Sequence, residues 1–170
     1  MENIMLETTG QKLINIKHED VCRAKSLSSN LGTLNNSITK GRGNVYGFLG
    51  ELITANFLGI NLSNTYDYDM VYKNTKIDVK TKKVSSEPKP HYECSIANLN
   101  TKQKCDVYIF TRVLKDMSKG WILGFLTKED YFNKATFLKR GDIDPSNNWT
   151  VKTDCFNLSI SNLKPIEELA

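Results

Sequence analysis

The sequence predicts an α/β (α+β) fold in which helices flank a central mixed sheet. Segment 45–59 places apolar residues at the three- and four-residue spacing of a helix. Segment 66–81 alternates aromatic or β-branched residues with polar ones around a polar pair, which is typical of a hairpin. Two mostly apolar runs follow, 106–113 and 121–126, and they favour strands inside a sheet. This order of elements predicts a mixed sheet with helices on the outside.

The composition is that of a soluble globular protein, with 39% apolar and 25% charged residues. The net charge of +4 is compatible with a phosphate-bearing partner but does not establish one. No apolar run approaches the ~20 residues that cross a membrane, and the N-terminus carries no signal-peptide pattern. The four cysteines are scattered and form no zinc pattern, so free thiols in a reducing cytosol are expected. We therefore expect a cytoplasmic protein without a membrane partner.

The chain of 170 residues predicts one domain, which we divide into three parts. Residues 44–126 form the core, 1–43 form an N-terminal appendage, and 127–170 elaborate the core at its C-terminal side. The stretch 26–40 is rich in Ser, Asn and Thr and predicts a loop. Four residues could form one face of a short helix in the appendage: Val21, Ala24, Ser28 and Leu31.

The predicted core helix has capping residues at both ends. Asn44 is suited to cap its N-terminus, and Gly59 is suited to the left-handed conformation that ends many helices. Two interior glycines, Gly47 and Gly50, each cost the helix about 1 kcal/mol relative to Ala. They lie on the face that also carries Glu51, the only charged residue of the helix. A helix that accepts this cost is expected to have another backbone segment close to it.

The predicted hairpin brings four charged side chains to one face. If 73–74 is the turn, Asp69 lies opposite Asp78 and Asp67 lies opposite Lys80. Strand side chains alternate, so all four point to the same side of the sheet. A three-residue loop would shift this register by one. Asp67 therefore stays an alternative to Asp69, which we prefer.

Two aspartates that face each other across a hairpin repel unless something positive lies between them. Their separation suits two carboxylates that bind one hard cation, and Mg²⁺ prefers oxygen ligands of this kind. The Val79 carbonyl could be a further ligand, and Glu51 could complete the shell. Such an ion activates water and neutralises charge on a phosphodiester, while Lys80 could orient the water or stabilise the transition state. Asp69, Asp78, Glu51 and Lys80 are thus candidate catalytic residues for phosphodiester hydrolysis.

These residues and their order resemble the PD-(D/E)xK nuclease superfamily, which includes restriction enzymes, Holliday-junction resolvases and phage recombination nucleases. Gly47-Phe48-Leu49-Gly50-Glu51 is similar to its helix-borne first motif. Tyr68-Asp69 is similar to its aspartate motif, although no Pro precedes the Asp, and Asp78-Val79-Lys80 is similar to its D/E-x-K motif. The resemblance covers roughly 44–126.

The resemblance implies a restriction-endonuclease-like core of order α-β-β-β-α-β. The third core strand would lie near 91–96, and the second core helix near 97–103. It further implies a nuclease dependent on Mg²⁺ or Mn²⁺, with either one or two ions, that acts on DNA or alternatively on RNA. Endonuclease action is favoured over exonuclease action. Small members of the superfamily are often dimers, so the resemblance also implies a homodimer as one possible state of this chain. The small size of the chain favours a phage, mobile-element or repair-type enzyme.

Three basic residues near the motifs are candidates for contacts to a nucleic-acid backbone: Arg42, Lys82 and Lys83. Gln103 is a further candidate for the site. The alternative function is a catalytically inactive module of the same fold that binds nucleic acid or protein.

The C-terminal part predicts three further elements. Thr127 and Asp130 form a capping box that opens a short helix. Segment 149–160 alternates loosely as a strand. Ser161 could cap a final helix with Pro165 in or near its first turn.

Overall fold

Five strands form a curled mixed sheet, and three more form a smaller antiparallel sheet that packs on one face of it. The structure is a computed structural model and describes residues 10–31, 44–63, 65 and 67–169. In chain order the elements are β1 (Lys12–Asn15), α1 (His18–Leu31), α2 (Asn44–Leu58), β2 (Met70–Tyr72), β3 (Thr75–Val84), β4 (Glu93–Ala97), β5 (Val107–Leu114), β6 (Lys119–Thr127), α3 (Lys128–Lys134), β7 (Thr136–Leu138) and β8 (Cys155–Ser159). The predicted α+β class is confirmed.

The large sheet has the order β1-β6-β5-β3-β2, with β3 and β5 parallel and the other pairs antiparallel. Residues 107–113 of β5 are all buried, because α2 covers one face of the sheet and the small sheet covers the other. The two apolar runs of the sequence are therefore central strands, as predicted. Within the part of the chain that the structure describes, no helix has the length and apolar character that a membrane span requires.

The β2–β3 hairpin has the predicted two-residue turn. Lys73 and Asn74 have φ of 48° and 65°, the left-handed conformations that a type I′ turn needs. The register Met70↔Ile77 is the predicted one. The ladder ends at Met70, so neither the expected pairing of Asp69 with Asp78 nor that of Asp67 with Lys80 forms. β3 continues beyond β2 and has an open edge from Asp78 onward.

The N-terminal residues that the structure describes are built into the fold. β1 pairs with β6, and Ala24 of α1 is fully buried against Leu49 and Leu52 of α2. Helix α1 spans the predicted helical positions from Val21 to Leu31, which confirms that helix, and the loop or weak structure predicted from residue 26 is wrong up to residue 31. The segment that we expected to be an appendage thus contributes an edge strand and part of the core. Arg42 lies outside the described residues.

Two elements implied by the resemblance differ from the structure. β4 lies near the predicted third strand, but it pairs with β8 in the small sheet and not with the core. Segment 97–103 contains only a 3₁₀ turn at Asn98–Asn100 and no core helix. The reason is local, because this polar segment has no apolar stripe and Thr101 closes the turn by bonding the Asn98 carbonyl through both its N–H and its hydroxyl.

The C-terminal predictions are partly confirmed. Helix α3 begins as predicted, with the Asp130 N–H donating to the Thr127 hydroxyl at 3.1 Å. The predicted strand at 149–160 is shorter and consists of β8 alone. The predicted final helix is wrong, since two 3₁₀ turns, Ile160–Asn162 and Ile166–Glu168, flank Pro165 instead.

The glycines of α2 have different surroundings. A Cβ at Gly50 would lie 1.9 Å from the Thr81 hydroxyl and 2.5 Å from the Thr111 hydroxyl. These hydroxyls bond each other at 2.8 Å on the face of the sheet below the helix. A Cβ at Gly47 would meet nothing within 4 Å. The expected close neighbour therefore exists at Gly50, as a side-chain pair in the sheet, and is absent at Gly47.

We expect Gly50→Ala to lower the free energy of unfolding by about 1–3 kcal/mol, because the methyl group must push α2 away from the sheet. Gly47→Ala is the matched control and should raise it by about 0.5–1 kcal/mol through helix propensity. Urea unfolding followed by circular dichroism measures both. Equal effects of the two substitutions would contradict the close packing at Gly50.

Candidate active site

Asp69 occupies the open edge of β3. Its backbone N–H donates to the Ile77 carbonyl at 2.8 Å, just before β2 begins. Its carboxylate Oδ2 accepts from the Val79 N–H at 2.8 Å, where a longer β2 would have placed a backbone carbonyl. The short second strand is thus what places a carboxylate in the plane of the sheet.

Asp78 and Lys80 lie two residues apart on β3 and therefore on the same face. Asp78 is 4% exposed, and its Oδ2 forms an ion pair with the Lys80 ammonium at 2.8 Å. Lys80 Nζ donates to Gln103 Oε1 at 2.9 Å, and Gln103 Nε2 donates to Asp78 Oδ1 at 3.3 Å. Lys80 also lies over the Tyr108 ring, at 5.8 Å from its centroid. Asp78, Gln103 and the Tyr108 ring therefore hold the Lys80 ammonium in place from three sides.

Glu51 reaches the same cluster from α2. Its Oε1 is buried and, among the described residues, has no hydrogen-bond partner. Burial, followed by the charges of Asp69 and Asp78, raises the pKa of Glu51 to about 9. Burial and the Asp78 charge raise the pKa of Asp69 to about 7. Burial also raises the pKa of Asp78, against the opposing effect of Lys80. The charges of these three carboxylates and of Lys80 therefore act on one another, and their role as one catalytic site stays a prediction.

The cluster has the donors that a hard cation requires, but they are occupied by the protein's own groups. Within the described residues, no three Asp, Glu, His or Cys side chains already form a set arranged to ligate one ion. Asp78 is paired with Lys80, and Asp69 with the Val79 N–H. The unpartnered Glu51 oxygen and the raised pKa values are the features that fit a cation, since they reflect negative charge without enough compensation. A ligand role for the Val79 carbonyl stays a prediction.

Other candidates are placed differently. Asp67 accepts a bond from the Lys104 N–H at 3.0 Å, so it holds a loop while Asp69 joins the cluster. Lys82 shares the sheet face of Lys80, whereas Lys83 lies on the opposite face over the Tyr46 ring, at 5.1 Å. The two candidate phosphate contacts are thus on different sides of the sheet.

Gln103 contacts two of the candidate catalytic residues, although the sequence offered only weak reason to place it in the site. It lies in the loop before β5 and bridges Asp78 and Lys80. Its backbone carbonyl accepts a bond from the Lys128 ammonium at the start of α3. A polar loop residue without a motif gives little signal, so its role depends on contacts that only the folded chain provides.

The raised pKa values predict that stability of the metal-free protein falls with pH. A carboxyl whose folded pKa is raised contributes stability below its unfolded pKa and loses it as pH rises through the folded value. For Asp69 and Glu51 this window extends from their ordinary values up to about 7 and about 9. We expect the free energy of unfolding in EDTA to decrease across this window, and Glu51→Gln to reduce the slope.

Urea unfolding at a series of pH values measures this slope. Glu129→Gln is the control, because Glu129 is exposed in the first turn of α3. Parallel pH profiles for the wild type and Glu51→Gln would show that Glu51 is not a buried, destabilised carboxyl.

A scan of the chain against models of protein families gave no match, and a search of curated proteins found no similar sequence. The functional assignment therefore depends on the geometry of the carboxylate cluster and on the motifs that form it.

Proposed function

We propose that this chain is a metal-dependent nuclease that hydrolyses phosphodiester bonds of DNA through a PD-(D/E)xK-type site. The observation that carries the proposal is that Glu51, Asp69, Asp78 and Lys80 lie in one cluster. Glu51 belongs to α2, Asp69 directly precedes β2, and Asp78 and Lys80 belong to β3. Each of these carboxylates is costly to bury alone. Three together, whose charges raise one another's pKa, favour a site that is completed by a cation.

The cation would be Mg²⁺ or Mn²⁺, held by Asp69, Asp78 and Glu51. When bound, it would supply the charge that lowers the pKa of water and neutralises a phosphodiester. Lys80 donates hydrogen bonds to phosphate oxygens or to the attacking water, and Gln103 holds Lys80 in position. Asp78 would hold the ion with the oxygen that now contacts Lys80, and the Lys80 ammonium would then be available to the substrate.

The arrangement of elements supports the proposal in part. Helix α2, the β2–β3 hairpin and β5 parallel to β3 would be the counterparts of the restriction-endonuclease-like core. The chain departs from the implied order between β3 and β5, where the small sheet replaces the third strand and the second helix. The motifs precede this departure, so it leaves the carboxylate cluster intact.

A cleavage panel tests the proposal. The purified chain is incubated with linear duplex, single-stranded, flap and four-way-junction DNA and with RNA, each in Mg²⁺, Mn²⁺ or EDTA. We expect cleavage of at least one DNA substrate that requires the metal. Absence of cleavage on every substrate with both metals would contradict a nuclease and favour the non-catalytic binding module.

A further inference from the structure

A cleft of about 880 Å³ separates the two sheets and opens beside Lys80. Its floor is the face of β3 and β5, and its roof is formed by β4, β8 and the loop 144–149. The volume lies within the range of sites for small organic ligands, about 300–1,000 Å³. A volume of this size suits a ligand of about one nucleotide. Of the four candidate catalytic residues only Lys80 lines it, so the cleft is a neighbour of the carboxylate cluster and not the cluster itself.

The floor of the cleft carries two adjacent cations. Lys82 and Arg112 are partners in the parallel β3–β5 register and follow Lys80 along the same face. Arg112 is 5% exposed; its Nη2 donates to the Glu93 carbonyl at 2.9 Å, and its guanidinium lies over the Tyr92 ring at 5.3 Å. Two like charges side by side in a cleft repel each other and favour an anion such as a phosphate.

The roof carries hydrogen-bond acceptors that lack partners. Glu93 Oε1 and Asn157 Oδ1 are both buried without a hydrogen bond among the described residues. Asn157 is 6% exposed, and its Nδ2 donates to Asp144 Oδ2 at 3.2 Å. This contact fixes the orientation of the amide, because the reverse orientation would place two acceptors together. Buried acceptors without donors are costly, and a ligand that carries N–H groups would satisfy them.

An aromatic ring lies at the rim of the cleft. Trp149 is 46% exposed and lines the cleft. The Trp149 N–H donates to Asn147 Oδ1 at 2.9 Å, and its carbonyl accepts from the Asp144 N–H at 2.8 Å. The turn therefore presents a large apolar surface to solvent, as aromatic platforms that stack on nucleic-acid bases do.

We propose that this cleft binds one unpaired nucleotide of the substrate strand, next to the phosphate that is cleaved. Lys82 and Arg112 hold its phosphate, Glu93 and Asn157 accept hydrogen bonds from its base, and Trp149 stacks on the base or on its neighbour. The identity of the ligand as a nucleotide rests on the proposed nuclease function. A ligand with an anionic end and a donor-bearing end matches both walls, whereas a bare divalent cation would be repelled by the two cations of the floor.

The acceptors of the roof favour a base with an exocyclic amino group. Cytosine presents an N4 amino donor at the position where thymine presents the O4 acceptor. Burial and contact with Asp144 raise the pKa of Glu93 to about 7, so near neutral pH its negative charge is reduced and opposes a nearby phosphate less. Because cytosine carries this amino donor and thymine does not, the cleft should prefer unpaired cytosine to unpaired thymine.

Fluorescence anisotropy of the full chain in EDTA tests the inference without any need for catalysis. The probes are labelled oligo(dC), oligo(dT) and a blunt duplex. We expect oligo(dC) to bind about tenfold more tightly than oligo(dT) or the duplex. Trp149→Ala should weaken single-strand binding about tenfold. Asn157→Ala should remove the preference for oligo(dC). Phe137→Ala is the control, since Phe137 is an exposed aromatic residue of β7 that does not line the cleft.

Equal binding of single strand and duplex, with no effect of Trp149→Ala, would overturn the inference. Trp149 is exposed, so its variant tests the cleft even if Asn157→Ala fails to fold. The Asp78→Asn variant, which should bind no metal at the carboxylate cluster, is also tested for stabilisation by Ca²⁺. If Ca²⁺ stabilises this variant but not Asp78→Asn/Asn157→Ala, and no oligonucleotide binds, the cleft is a cation site. Predicted binding without cleavage in the substrate panel would contradict the nuclease and retain the nucleotide cleft. Cleavage that both Trp149→Ala and Asn157→Ala leave unchanged would retain the nuclease and contradict the nucleotide cleft.

Discussion

We expect Asp78→Asn to lower metal-dependent DNA cleavage by about 10³-fold or more while the fold is kept. Asp78 is buried and is in contact with Lys80, Gln103 and Asp69, so it is the centre of the cluster. Asparagine has the same shape but loses the negative charge that a divalent ion requires. Lys80 retains its bond to Gln103, and the repulsion from the neighbouring carboxylates is relieved.

Initial rates on the preferred substrate of the panel, with thermal unfolding in EDTA, measure both effects. Glu129→Gln makes the same chemical change on the exposed side of α3 and should leave the rate unchanged. A rate for Asp78→Asn within a few-fold of the wild type would remove Asp78 from the catalytic machinery and with it the site assignment.

We also expect the neighbouring residues Asp69 and Asp67 to differ strongly in their effect on the cleavage rate. Asp69→Asn should reduce cleavage by about 10²–10³-fold, because it removes a charge from the cluster at the edge of β3. Asp67→Asn should change the rate by less than about threefold, because Asp67 accepts a hydrogen bond from the Lys104 N–H and an amide oxygen can accept the same bond.

The two variants control each other, since they make the same change two residues apart in one loop. Measurement of the rate against metal concentration separates a lost ligand from a lost fold: Asp69→Asn should need more Mg²⁺ or Mn²⁺ for half-maximal rate. If Asp67→Asn is the inactive variant, the ligand assignment is wrong and Asp67, not Asp69, belongs to the site.

The cluster could be predicted because its signals are local. The apolar stripe of α2, the alternation of the hairpin and a two-residue turn that accepts left-handed conformations together fix which residues share a face. The position of Asp69 was only approximate. It was expected as a cross-strand partner of Asp78, but it lies just beyond the end of the ladder and its carboxylate accepts a hydrogen bond from the Val79 N–H.

The second sheet could not be predicted, because its pairings join distant segments. β4 pairs with β8 in this second sheet, just as β1 pairs with β6 in the large sheet, and nothing in these short strands identifies their partners. The elements between β3 and β5 were therefore assigned by resemblance to the core, where the structure has a separate layer. The cleft is formed by that layer, so its acceptors on Glu93 and Asn157 gave no signal in the sequence.

The central claim is that Glu51, Asp69 and Asp78 bind a divalent ion beside Lys80. A crystal structure of the chain soaked in Mn²⁺, with the anomalous signal of manganese, tests it most directly. We predict a peak between the three carboxylates, with Asp78 turned from Lys80 to the ion. A peak elsewhere, or none at this cluster while Mn²⁺ supports cleavage, would contradict the account.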